Sequence, residues 1–140
     1  MIDHLFNVLE AARPGSFSEV TEMYKDAIPT GKIPERTIGL AAGEPKYIST
    51  GENARAIVQI VYIMINILIL NKKEADVIAE LRALAGKVKN VLTANLRLNN
   101  FLVAPGRILS AMEGEAAPTA ENSQVYEIAF QGKYFEGGES

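Results

Sequence analysis

The sequence predicts an α+β domain, in which an antiparallel or mixed β-sheet packs against an N-terminal helix and one long amphipathic helix. Three observations predict this class. Residues 56–70 are rich in β-branched side chains, residues 73–94 repeat apolar side chains at helical spacing, and residues 124–135 alternate apolar and polar side chains. A chain of 140 residues is long enough for one hydrophobic core. We therefore expect a single domain over 1–135 and a polar tail over 136–140.

The first element is a short amphipathic helix. Residues 2–12 place apolar side chains at helical spacing. Pro14 disfavours the helical conformation at Arg13, and a glycine follows it. The helix is therefore expected to end before this Pro-Gly pair.

The segment 17–28 is ambiguous in sequence. Ser16 and Glu19 have the spacing of a helix capping box, whereas alternation in the second half of the segment favours a strand. The strand is the favoured interpretation.

Short extended pieces are expected next. Residues 29–34 contain proline and glycine and are typical of a turn. Residues 37–40 and 46–49 are predicted to be extended and are separated by Gly43 and Pro45, forming an excursion or an edge hairpin.

The apolar run 56–70, AIVQIVYIMINILIL, is short for a membrane span. It has about 15 residues and includes Gln59 and Asn66, whereas a helix needs roughly 20 apolar residues to cross a bilayer. Its β-branched residues favour a strand. Because both alternating faces are apolar, we expect a central strand covered on both faces and no membrane segment.

Residues 73–94 give the clearest helical pattern. The apolar side chains on one stripe are Val77, Ile78, Leu81, Leu84, Val88, Val91 and Leu92. Gly86 lies within this helix at a cost in helix propensity, so it marks either a close contact with the sheet or simple tolerance.

The last part of the chain is predicted to form an antiparallel hairpin. Residues 101–112 are expected to be extended with an interruption at Pro105-Gly106, and 124–135 to be a half-buried strand. The loop between them, 113–123, is small, acidic and expected to be mobile.

Composition excludes several classes of function. The net charge is −3, which argues against binding nucleic acid through phosphate neutralisation. His4 is the only histidine and there is no cysteine, so no histidine-cysteine metal site is predicted. Phosphate-binding glycine motifs and a serine nucleophile elbow are absent from the sequence. We therefore expect no catalytic residues, no cofactor and no metal, and not an enzyme.

The order of the elements resembles that of the tail terminator (tail completion) proteins of tailed bacteriophages. The resemblance lies in four segments, IDHLFNVLEAARPG, ARAIVQIVYIMI, EADVIAELRALAGKVKNVL and VYEIAFQGKY. It implies a homohexameric ring that caps the finished tail tube, ends its polymerisation and joins it to the head connector. The implied partners are further copies of the chain, the tail tube protein and the head-tail connector protein. DNA would pass through the lumen without specific binding, and the protein would lie in the virion tail or neck after assembly in the host cytoplasm.

Acidic residues in the C-terminal fifth are the candidate functional charges. Residues 113–140 hold six glutamates and one lysine, a net charge of −5. In a ring, Glu113, Glu115 and Glu121 are candidate interface or lumen charges, which would repel DNA or attract a basic partner. A merely solubilising segment is the third interpretation. Glu113 and Glu115 as paired catalytic carboxylates are disfavoured, because their small polar surroundings predict solvated side chains.

Other classes of function fit the same residues. The apolar strand also suits an ordinary dimer. A small regulatory or ligand-binding α+β module is the main alternative to a virion protein, and a small enzyme with an unrecognised site is the third.

Overall fold

The computed structural model describes residues 1–25, 35–49, 55–68, 73–114 and 123–136. These residues form two helices and six strands. The helices are α1 (Ile2–Ser16) and α2 (Glu74–Ala94), and the strands are β1 (Glu22–Tyr24), β2 (Arg36–Ala42), β3 (Lys46–Ser49), β4 (Arg55–Leu68), β5 (Arg107–Gly114) and β6 (Ser123–Phe135). The predicted α+β class is confirmed.

The six strands form one mixed sheet in the order β1-β2-β4-β6-β5, with β3 paired beside β4. Only β1 and β2 run parallel; the other described pairs are antiparallel. One side of β4 is shared, because β2 pairs with its residues 61–67 and β3 with its residues 55–58. The other side pairs with β6 along its whole length, from Ala56 opposite Phe135 to Leu68 opposite Ser123. The predicted hairpin of the last two strands is confirmed as β5 and β6.

Both helices contribute to a core on one face of the sheet. Alternate side chains in the second half of β4, from Val61 on, lie in this core, and Ile63, Ile65 and Ile67 are fully buried there. Directly across the ladder, Ile128 and Tyr126 of β6 extend the same apolar layer. The α2 stripe covers it, since the buried residues of the helix are Val77, Leu81, Leu84, Ala85, Val88, Val91 and Leu92. The predicted amphipathic packing of α2 is thereby confirmed, although Ile78 is only half-buried.

The opposite face of β4 differs from the prediction that the strand is covered on both faces. Val58, Ile60, Tyr62 and Met64 alternate with the core residues and are only half-buried, whereas Ala56 and Asn66 at the two ends of the same face are buried. Both α1 and α2 pack on the face that holds Ile63, Ile65 and Ile67. Both helices are used on one side of the sheet, so an apolar surface remains on the other.

The end of α1 also differs from the prediction. The helix continues through Pro14 to Ser16 instead of stopping before it. The extra turn is closed by Phe17, whose N–H donates to the Arg13 carbonyl at 3.0 Å and whose side chain is fully buried. Burial of the phenylalanine ring outweighs the local preference against a helix before proline.

The remaining boundaries shift by smaller amounts. Within the described part of the segment 17–28, which ends at residue 25, only Glu22–Tyr24 is a strand. Residues 95–104 are turns and bends, so the extended segment begins at Arg107 rather than at 101. The predicted turn at 29–34, most of the acidic loop and residues 137–140 of the tail lie outside the described residues. Neither described helix is long and apolar enough to span a bilayer.

Gly86 does not mark a close contact with the sheet, which was one of its two interpretations. A Cβ at this position would meet nothing within 4 Å, apart from the helix's own nearby backbone and chain neighbours. We therefore expect Gly86→Ala to raise the free energy of unfolding by about 1 kcal/mol, because alanine has the higher helix propensity. Urea unfolding measures the change. Ala83→Gly, at an exposed position of the same helix, is the matched control and should lower the free energy of unfolding by a similar amount. A less stable Gly86→Ala variant would contradict the open environment.

Among the described residues, two polar side chains are buried without a hydrogen-bond partner. Thr37 of β2 and Asn66 of β4 lie directly opposite each other, 0% and 1% exposed. Neither the Thr37 hydroxyl nor the Asn66 side-chain amide has a hydrogen bond. Burial of an unsatisfied polar group costs free energy, so the pair stabilises the isolated chain less than apolar residues would.

Thr37→Val should raise the free energy of unfolding by about 1 kcal/mol, because valine keeps the shape and removes the unpaired hydroxyl. Denaturant unfolding followed by circular dichroism is the measurement. Thr21 is the matched control, since its hydroxyl donates to the Arg36 carbonyl at 3.0 Å, and Thr21→Val should not stabilise. Equal effects of the two substitutions would argue against a penalty at Thr37.

Candidate assembly surface

Large apolar side chains are exposed at two separate places on the described surface. They are Tyr47 at 52%, Ile48 at 42%, Leu109 at 41%, Met112 at 59% and Phe135 at 48%. Tyr47 and Ile48 belong to β3, which we call the β3 patch, and Leu109 and Met112 belong to β5, which we call the β5 patch. These strands lie at opposite edges of the sheet. β3 pairs with β4, on the edge of β4 that faces away from β6, and β5 pairs with the edge of β6 that faces away from β4.

The β5 patch lies on an open strand edge. Among the described strands β5 pairs only with β6, so one side of its backbone has no ladder partner. Natural edge strands are usually short or protected by lysine, proline or a bulge. The strand has eight residues with the sequence RILSAMEG, and its register shifts between Ile108 and Ser110. This register shift and the charged residues Arg107 and Glu113 near its ends are the protections in β5, whereas Leu109 and Met112 between them are exposed and apolar.

The β3 patch lies on the opposite side, beside the first residues of β4. Ile48 is paired with Ala56, and Ala56 with Phe135, so these three residues form one row across the sheet. Arg55 lies over the ring of Tyr47, with its guanidinium carbon 4.3 Å from the ring centroid. Ile48 and Phe135 therefore lie on the same face of the sheet, on either side of the fully buried Ala56, whereas Tyr47, paired with Ile57, lies on the other face.

A chain of hydrogen bonds fixes the backbone next to the β3 patch. The Tyr134 hydroxyl donates to Gln59 Oε1 at 2.9 Å, and Gln59 Nε2 donates to the Gly43 carbonyl at 2.9 Å. The Gly43 N–H donates to the Ile60 carbonyl at 2.7 Å. Burial raises the pKa of the Tyr134 phenol above its ordinary value. These hydrogen bonds give the patch an ordered support.

Of the three acidic candidates Glu113, Glu115 and Glu121, the described residues include only Glu113. Glu113 lies in β5 rather than in the mobile loop where the sequence placed it, and its carboxylate accepts a hydrogen bond from Arg82 Nε of α2. That hydrogen bond raises the pKa of the Arg82 guanidinium. The charge of Glu113 is therefore compensated within the chain. Glu115 and Glu121 lie outside the described residues.

The described residues do not contain a group of three or more His, Asp or Glu side chains that could hold a metal ion. His4 is half-buried, and its ring stacks on Phe101 with the centroids 3.7 Å apart and the planes 10° apart.

Neither patch was predicted from the sequence. Leu109 and Met112 were part of an expected extended segment, and Tyr47 and Ile48 part of an expected edge hairpin. The available signal was the presence of large apolar residues in strands already expected at an edge. Exposure depends on which strand lies next in the sheet, and the local pattern does not contain that information.

No family model matches the sequence, and no curated protein matches it. A chain of a solved structure described as "Virion of native gene transfer agent (GTA) particle" is similar, with 14% sequence identity over 94% of this chain and 92% of that chain and a TM-score of 0.49. A similarity of this degree does not carry a function from that particle to this chain.

Proposed function

We propose that this chain is a structural virion assembly protein, whose copies join edge to edge into a ring that caps a tail tube. The observation that carries the proposal is the presence of two different apolar patches on opposite edges of one sheet, the β3 patch and the β5 patch. The role is structural rather than catalytic. Its localisation would be the tail or neck of a virion.

The placement of the patches favours a head-to-tail contact. If the β5 patch of one copy meets the β3 patch of the next, the joined pair still has a free β3 patch at one end and a free β5 patch at the other. Such heterologous contacts repeat around the assembly and close into a ring when the rotation allows it. A two-fold dimer would need only one of the patches, meeting its own copy, and would leave the other exposed to water.

The strand edges add backbone hydrogen bonds to this contact. The open edge of β5 has N–H and C=O groups that a neighbouring strand can pair with, in the way that edge strands accept an added strand. Four exposed apolar side chains would be buried with them. A stable interface buries about 800 Å² per partner, so surface flanking the patches must also take part.

The position at the end of a tail tube rests on the resemblance of the four sequence segments to the tail terminator proteins. A hexameric ring there would end tube polymerisation and offer its other face to the head connector. The net charge of −3 per chain fits a ring that lets DNA pass without holding it, because non-specific DNA binding needs clustered basic residues.

Measuring the mass of the purified chain by native mass spectrometry and light scattering tests the ring. We expect one discrete species of about six subunits. Ile48→Asp blocks the β3 patch and Met112→Asp blocks the β5 patch, so each variant alone should be monomeric, because a buried unpaired carboxylate is costly. Asn90→Asp, at an exposed position of α2, is the control and should leave the mass unchanged.

Mixing the two variants distinguishes a head-to-tail contact from a two-fold one. The Met112→Asp chain keeps its β3 patch and the Ile48→Asp chain keeps its β5 patch, so the mixture should form heterodimers and nothing larger. A two-fold contact through β5 would instead leave Ile48→Asp dimeric by itself. A monomeric wild-type chain at high concentration would overturn the ring and favour the ligand-binding module.

The acidic candidates are tested by replacing Glu113, Glu115 and Glu121 with glutamine. Ring size should not change, whereas DNA passage or association with a basic partner should change in a salt-dependent way. Glu113→Gln alone is the control, because it removes the contact with Arg82 and leaves the other two charges. Wild-type rates of association and of DNA passage at every ionic strength would show that these charges have no role in either step.

A further inference from the structure

The turn after α2 holds three consecutive residues in a conformation that is unfavourable for side chains. Leu98, Asn99 and Asn100 have φ values of 48°, 58° and 69°, in the left-handed region. Residues other than glycine usually visit this region singly, and asparagine tolerates it best. A run of three persists only where the surroundings hold it, and such segments concentrate at ligand sites.

Several contacts hold this turn in place. The Leu98 side chain is fully buried, and the N–H of Leu102 donates to the Arg97 carbonyl at 3.1 Å. The Val103 N–H donates to the Lys133 carbonyl of β6 at 2.9 Å. The Arg97 guanidinium donates through Nε and Nη2 to the Leu102 carbonyl, at 3.4 and 3.3 Å, and through Nη2 to the Val103 carbonyl, at 3.3 Å. The turn is thus rigidly built onto the sheet.

The turn forms one wall of a pocket of about 570 Å³. The lining residues that the argument uses are His4, Arg97, Asn99, Asn100, Phe101 and Phe135. The aromatic side is a stack, because the Phe101 ring lies against His4 and its centroid is 5.0 Å from that of Tyr134. Neither an aspartate nor a glutamate is among the described lining residues.

The polar groups of the pocket are mostly donors. Arg97 Nη1 makes no hydrogen bond to a described residue, and the guanidinium has no carboxylate partner among them. The N–H groups of Asn99 and Asn100 donate to no described backbone carbonyl. One permanent cation beside free amide donors matches an oxyanion, since a guanidinium and backbone amides bind carboxylate or phosphate by charge-assisted hydrogen bonds.

We propose that this pocket binds a carboxylate of a protein partner, carried next to an apolar side chain. The guanidinium of Arg97 and the donors of Asn99 and Asn100 take the carboxylate, and the apolar group lies on the aromatic wall of Phe101 and Phe135. A DNA phosphate fits less well, because the pocket has one cation where backbone binding needs several. Phe135 lies in the same row as Ile48 of the β3 patch, whereas Arg97, Asn99 and Asn100 lie outside both patches, so substitutions of these donors test the pocket separately from ring formation.

Titration of the ¹⁵N-labelled full-length chain with 3-phenylpropionate, a carboxylate next to an aromatic ring, tests the proposal by NMR. We expect saturable shifts of the Asn99 and Asn100 amide signals. The neutral 3-phenylpropionamide should bind at least about tenfold more weakly, which corresponds to about 1.4 kcal/mol for the lost charge-assisted contact. Inorganic phosphate and a short DNA duplex are the competing probes. Tighter binding of either one, or no saturable shift with 3-phenylpropionate, would overturn the proposal.

Variants of the pocket assign the donors. Arg97→Lys keeps the charge and loses the planar fork, so it should weaken 3-phenylpropionate binding by about tenfold. Arg107→Lys, at an exposed arginine outside the pocket, is the control and should bind like the wild type. Asn100→Gly keeps the left-handed conformation and removes the side-chain amide, so it should weaken 3-phenylpropionate binding about threefold. If Arg97→Lys fails to fold, this variant tests whether the turn supplies a donor to the carboxylate. Ring size should be unchanged in all three variants, which separates a failure here from a failure of the ring.

Discussion

Leu81→Ala is expected to lower the free energy of unfolding by about 2 to 5 kcal/mol, and Leu84→Ala by a similar amount. Leu81 is fully buried and Leu84 is 1% exposed, and both lie on the face of α2 that packs on β4 and β6. Truncation removes buried methyl groups and leaves a cavity. The surrounding core consists of β-branched strand residues such as Ile63 and Ile65, whose restricted side chains cannot easily fill it.

Urea unfolding of the variants measures this loss. Asn90→Ala is the matched control, because Asn90 lies on the exposed face of the same helix, and its change should stay within about 0.5 kcal/mol. Leu81→Met keeps most of the volume and should cost less than about 1.5 kcal/mol. If Leu81→Ala had the same unfolding midpoint as Asn90→Ala, α2 would not pack on the sheet through this stripe.

The long elements could be predicted because their patterns are local. The stripe of α2 and the alternation of β6 each depend on side-chain spacing within one segment. Even there, the burial of Ala85 and the partial exposure of Ile78 were not predictable, since a small residue gives a weak signal and the edge of a stripe depends on its neighbours.

The sequence predictions were wrong where a contact between residues far apart in the sequence determines the local structure. The end of α1 is set by Phe17, which is buried in a core built mainly from later residues. The face of β4 that remains half-buried was expected to be covered because both of its faces are apolar. The sequence pattern shows that both faces are apolar, but it does not show that both helices pack on the same one.

The candidate assembly surface shows the same limit. The sequence identified β3 as an edge piece, but the position of β5 at the other edge follows from its pairing with β6 alone. Local charge counting likewise placed Glu113 in a solvated loop, whereas in the fold it meets Arg82, 31 residues away in sequence. The left-handed turn did have a sequence signal in Asn99 and Asn100, because asparagine is the residue besides glycine that most readily adopts it.

Gly106→Ala is expected to destabilise the chain by about 3 kcal/mol, within the range for overpacking a filled site. A Cβ at this position would overlap the ring of Phe130 and lie 2.9 Å from the backbone oxygen of Gln131. Phe130 is fully buried in the core and Gln131 is held in the β4–β6 ladder, so neither can move aside cheaply. The Gly106 N–H also donates to the Leu96 carbonyl at 2.7 Å, which ties the start of β5 to the turn after α2.

Thermal and urea unfolding of Gly106→Ala measure the effect. Gly15→Ala is the matched control, since a Cβ there would meet nothing within 4 Å beyond its own helix backbone and chain neighbours, and it should be neutral or slightly stabilising. Combining Gly106→Ala with Phe130→Leu should cost less than the sum of the single changes, because the shorter side chain vacates the space that the new methyl group needs. Strictly additive losses, or a Gly106→Ala variant as stable as Gly15→Ala, would mean that the start of β5 does not lie against Phe130.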